Sequence, residues 1–73
     1  MNKMEYDVSL LKKLVGSFSD AEYMEEEWEE IVKTARMGSA EKLWNCLQRL
    51  SDAEYTGDEV RDMIHLVSEG KKK

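Results

Sequence analysis

Apolar residues recur along this chain at steps of three and four, in four separate runs. Val8, Leu11, Leu14, Val15 and Phe18 form the first run, which at 3.6 residues per turn places them on one face of a helix. Ala21, Met24, Trp28, Ile31, Val32 and Ala35 form a longer second run. Ala40, Leu43, Trp44, Leu47 and Leu50 form a third, and Val60, Met63, Ile64 and Val67 a fourth. No stretch alternates with the two-residue period of a half-buried strand. The pattern predicts an all-α protein of four short helices.

Punctuation between the runs supports this division. Asp7 stands where it can cap the first helix, and Ser39 where it can cap the third. Gly38 and Gly70 follow the second and fourth runs, where a left-handed residue closes a helix.

The string SDAEY occurs at residues 19–23 and again at 51–55, an offset of 32. Sliding the chain by that offset also brings Leu11 onto Leu43, Phe18 onto Leu50, Glu27 onto Glu59, Ile31 and Val32 onto Met63 and Ile64, and Gly38 onto Gly70. The four helices are therefore expected as two helix-turn-helix hairpins, an approximate internal repeat packed as a small bundle. Each pentapeptide reads as a capping box. Ser19 or Ser51 would accept a backbone N–H while Glu22 or Glu54 reaches back, and Phe18 on Tyr23 or Leu50 on Tyr55 would add a hydrophobic staple. In the second copy, Thr56 and Glu59 offer another box and an alternative start. The expected core is Leu11, Leu14, Val15, Phe18, Met24, Trp28, Ile31, Leu43, Trp44, Leu47, Val60, Met63, Ile64 and Val67.

Seventy-three residues suit one domain, expected over residues 1–70, with Lys71 to Lys73 as a disordered basic tail. A chain of this size removes only about 60% of its unfolded surface from water, so a partner subunit would add useful burial. Val8, Leu10, Met37 and Leu66 are apolar residues left over for such a homodimer. Cys46 is the only cysteine, which excludes an internal disulfide and suits a small buried hydrophobe in a reducing compartment. No segment has the uninterrupted apolar length of a membrane span or a signal peptide, and a cytoplasmic protein with no membrane partner is expected.

The charge pattern narrows the functional classes. A net charge of −5 repels phosphate backbones, so nucleic acid is not an expected partner. His65 is the single histidine, and Asp62 three residues before it lacks the further ligands a metal site needs. Asp52, Glu54, Thr56 and Gly57 imitate the opening of a calcium loop, but its twelfth position, which must be a bidentate glutamate, is Met63. No catalytic residue, cofactor site or metal site is expected, and the protein reads as a non-enzyme.

Residues 25–30 read EEEWEE, the strongest charge feature of the chain. Residues 19–37 hold seven acids against Lys33 and Arg36, a net −5 that equals the charge of the whole protein. With Trp28 turned inward, Glu25, Glu26, Glu29 and Glu30 are the candidate partner-binding residues, and Lys33 stands at the pairing distance from Glu29. The leading expectation is a small acidic protein-interaction module, a regulator or inhibitor. It would dock this helix on a basic protein surface of the kind nucleic-acid-binding proteins present. The alternative is a helix-turn-helix DNA-binding regulator that reads bases with Asn45, Gln48 and Arg49. That reading needs Lys12, Lys13, Lys42 and Arg49 in one basic patch, with the first and third helices side by side.

Overall fold

The computed structural model describes residues 3–72, of which 68–72 are described in backbone only. Its helices are α1 (Lys3–Gly16), α2 (Glu25–Arg36), α3 (Ala40–Leu50) and α4 (Gly57–Lys72), with no strand among the described residues. The all-α bundle expected from the periodicity is the observed architecture. α2 and α4 pack on each other and on both remaining helices, whereas α1 and α3 are not side by side. The broadest packings are α1 on α4 and α2 on α3, so each hairpin leans more on the other than on itself.

The core follows the helical stripes. Leu11, Ile31, Val32, Ala35, Leu43, Leu47, Met63 and Val67 are wholly buried, and Val15, Trp28 and Val60 nearly so. Leu14, Phe18 and Ile64 are half-buried against them. Two expected core residues lie elsewhere. Met24 is 69% exposed because it precedes α2 in an extended conformation and so leaves the helical stripe. Trp44 is 37% exposed because α3 centres its buried face on Leu43, Cys46 and Leu47, one step around the helix. Val8, Val32, Ala35, Cys46 and Tyr55 fill the interior in their place. Of the apolar residues assigned to a homodimer, Val8 is in the core, Leu10 and Leu66 are half-buried and Met37 is exposed.

Gly38 closes α2 as expected, with φ of 81° and its N–H donated to the Ala35 carbonyl at 3.0 Å. Ser39 caps α3 by accepting the Lys42 N–H at 3.3 Å. Gly70 does not close α4, which runs on to Lys72. The side chains of the expected tail at 71–73, and Lys73 altogether, lie outside the described residues. Asp7 is not a cap either, since α1 begins four residues earlier and carries Asp7 into its interior.

The pentapeptides are the largest departure. Residues 19–24 and 51–56 are not helical, and α2 and α4 start six residues after the serines. Ser19 Oγ accepts the Ala21 N–H at 3.0 Å and Ser51 Oγ the Ala53 N–H at 3.2 Å, local turns that keep the chain out of a helix. The working caps lie further on. The Met24 N–H donates to Glu27 Oε1 at 2.8 Å. The Thr56 N–H donates to Glu59 Oε1 at 3.0 Å while Thr56 Oγ1 accepts the Glu59 N–H at 3.2 Å. The second pair is a complete capping box, and the first lacks only a hydroxyl at Met24. The Phe18 ring does not stay local as a staple. Phe18 packs edge-on against Tyr55 of the other hairpin at 5.7 Å, and Tyr23 packs edge-on against Trp28 at 5.0 Å.

Candidate functional site

α2 owes its position to one face and its charge to the rest of its circumference. Trp28, Ile31, Val32 and Ala35 are buried, which fixes the rotation of the helix and turns the glutamates toward solvent. Glu25, Glu26 and Glu27 occupy the first turn, where the helix dipole favours negative charge, and Lys33 and Arg36 occupy the last.

The four candidate residues divide into two pairs. Glu25 is exposed and lies 3.7 Å from Lys12 of α1. Glu30 is half-buried and forms an ion pair with Arg49 of α3. Glu26, exposed, and Glu29, half-buried, make no ion pair among the described residues, and the Lys33 spacing does not yield one. Asp20 and Glu22 are exposed on the lead-in to α2, together with the apolar Met24. The result is an acidic ridge flanked by two neutralised glutamates.

The residues proposed for base reading are placed differently from the expectation. α1 and α3 do not lie side by side, so Lys12 and Lys13 do not join Lys42 and Arg49 in one patch. Lys12 and Arg49 are each engaged by a glutamate of α2, and Gln48 Nε2 donates to the Ala53 carbonyl at 3.3 Å. Asn45 and Lys42 are exposed on α3.

Two polar constellations escaped the sequence reading. Asp7, wholly buried, accepts a 2.7 Å hydrogen bond at Oδ2 from the guanidinium of Arg36, while its Oδ1 and the Arg36 Nε have no partner. Asp7 falls four residues before Leu11 on the apolar stripe, and an acid at that register was the available signal. The second constellation joins the pentapeptides. The Tyr23 hydroxyl is 2.9 Å from both Ser51 Oγ and the Tyr55 hydroxyl, and Tyr55 donates to Ser19 Oγ at 3.5 Å. Burial pushes the Tyr23 hydroxyl up to about 12, with the Ser51 hydrogen bond opposing and Tyr55 reinforcing, so at neutral pH it is a hydrogen-bonding group and not a base.

Cys46 is buried and its thiol is raised, first by burial, which disfavours the thiolate needed for nucleophilic chemistry. His65 and Asp62 are exposed on α4. Among the described residues no group of three or more His, Cys, Asp or Glu side chains could hold a metal ion. No helix of the described chain is long and apolar enough to cross a membrane. Comparison with protein-family models, with curated proteins and with solved structures finds no match to this chain, so its function must be argued from its own residues.

Proposed function

We propose that the protein is a small interaction module that docks the acidic ridge of α2 on a basic surface of another protein. The observation that carries this reading is the state of Glu26 and Glu29. Their neighbours Glu25 and Glu30 pair with cations from α1 and α3, and among the described residues these two form no ion pair. Like charges at three- and four-residue spacing on a helix cost stability, about 0.2–0.5 kcal/mol per pair, and a complementary partner would relieve that cost on binding. Concentrated charge of one sign also accelerates encounter with an opposite field.

The exposed Met24 beside the ridge supplies an apolar contact, and the T-shaped Tyr23–Trp28 pair behind it holds the start of α2 in place. A surface of this kind suits a regulator or inhibitor that covers a basic site, including one that otherwise receives phosphate.

The test is capture from lysate by the immobilised wild type, by Glu26→Gln with Glu29→Gln, and by Glu54→Gln with Asp62→Asn. The last variant loses the same charge from another part of the surface. A partner retained by the third form, lost by the second and released from the wild type by moderate salt is the expected result. Equal recovery by all three forms would remove the reading.

A further inference from the structure

We propose that the two hairpins can exchange between two copies of the chain, with Met37–Ser39 as the hinge, giving a dimer in which α1–α2 of each copy packs on α3–α4 of the other.

Only three residues separate α2 from α3, and one of them, Gly38, is the sole described residue with positive φ, at 81°. That conformation folds α3 back onto α2. Everything else that holds the hairpins together is non-covalent: α1 on α4, α2 on α3 and α2 on α4, the Tyr23–Tyr55 hydroxyl pair, the Phe18–Tyr55 ring contact and the Glu30–Arg49 ion pair. None of these contacts requires the two hairpins to belong to one chain.

Opening the hinge and closing on a second copy therefore restores every one of them, and only the hinge itself changes. The buried Asp7–Arg36 pair lies within the first hairpin and travels with it unbroken. Exchange of this sort is a low-cost route to a dimer, limited chiefly by the effective concentration of the tethered hairpins, on the order of millimolar for a short flexible link. The occupant is a second copy of this chain because the face each hairpin offers is the one its own partner hairpin already fits. The exchanged dimer carries two acidic ridges, since among the described residues Glu26 and Glu29 make no ion pair that the exchange would have to rebuild.

Two experiments decide it. A Cβ at position 38 meets nothing within 4 Å, so Gly38→Ala alters backbone preference without a clash. Positive φ disfavours alanine by about tenfold per chain, and two hinges are relieved per dimer, so the dissociation constant should fall about 100-fold. Light scattering at tens of micromolar should show a dimer with wild-type helicity. A folded monomer at that concentration would overturn the proposal.

The second experiment keeps the natural hinge. Glu30→Arg and Arg49→Glu chains each place like charges together, whether closed or exchanged with themselves. An exchanged heterodimer restores opposite charges at both sites, whereas a dimer formed through outer faces restores neither. The two chains, unfolded and refolded together at about 1 mM, should give heterodimer in at least threefold excess over the statistical proportion by native mass spectrometry. Monomers alone, or dimers in statistical proportion, would sink the idea.

Discussion

The hydroxyls of Tyr23 and Tyr55, 32 residues apart in sequence, lie 2.9 Å from each other at the junction of the two hairpins. Each also reaches the serine of the other pentapeptide, Tyr23 to Ser51 at 2.9 Å and Tyr55 to Ser19 at 3.5 Å. The tyrosine hydroxyls of the repeated string thus make their hydrogen bonds across the molecule, while the Tyr23 ring packs on Trp28 of the helix that follows it.

This junction carries a pH dependence. The Tyr23 hydroxyl is pushed up to about 12 in the folded protein, first by burial, against about 10 for an unfolded tyrosine. The folded state therefore holds the proton more tightly, and the associated stability is fully present below pH 10 and lost as pH rises to 12. Tyr23 is only half-buried, so solvent reduces the effect to the order of 1 kcal/mol. Denaturant titrations at pH 9 and pH 11.5 should show wild type losing about that much more than Tyr23→Phe. Equal losses would contradict the account.

Asp7 and Arg36 form the second polar contact of the interior. Removing one member of a buried ion pair costs about 3–5 kcal/mol because the other charge is left without compensation. Asp7 is wholly buried and the Arg36 side chain is 25% exposed, so Asp7→Ala should cost about 3 kcal/mol, a large part of the stability of so small a domain. Asp7→Leu combined with Arg36→Met should recover most of that loss, because well-packed apolar side chains replace such pairs at little or no cost. Urea midpoints of the wild type, the single variant and the double variant measure the comparison.

The helix starts offer a stabilising substitution. Thr56 completes a capping box with Glu59, and Met24, 32 residues earlier, has only the glutamate half with Glu27. Thr56→Ala should cost about 1 kcal/mol. Met24→Thr should gain about 0.5–1 kcal/mol, since Met24 is 69% exposed and loses little packing when replaced. Thermal melts of the two variants should move in opposite directions.

The helical stripes were legible because burial of one face imposes a 3.6-residue period, and Leu11, Ile31, Leu43 and Met63 obey it. The start of α1 was misplaced because Asp7 reads as a cap before an apolar run. Met4, half-buried against the core, extends the stripe one turn further back, and the cation that admits Asp7 comes from 29 residues away. The pentapeptides satisfy the S-x-x-E rule locally, but so does the box at Thr56, and the choice between them is made by contacts at a separation of 32 residues. Local pattern cannot weigh a contact of that range. At the candidate site the acidic run was plain in the sequence, whereas its division into paired and unpaired glutamates depended on Lys12 and Arg49 from other helices.

That division gives the two kinds of glutamate different expected effects on stability. Glu30 pairs with Arg49, so Glu30→Gln should leave stability unchanged or lower it slightly, because solvent screens so exposed a pair. Glu26 and Glu29 have like charges at helical spacing and form no ion pair among the described residues, so Glu26→Gln with Glu29→Gln should raise stability by about 0.5 kcal/mol. The gain should be largest at low ionic strength and should fade by about 1 M salt, where the screening length shrinks to about 3 Å. Paired melts at low and high salt read this directly. A gain at Glu26 and Glu29 with none at Glu30 would mean that the ridge is carried at the expense of the fold, as a docking surface is. A loss at Glu26 and Glu29 would make those glutamates structural and leave the docking reading without its support.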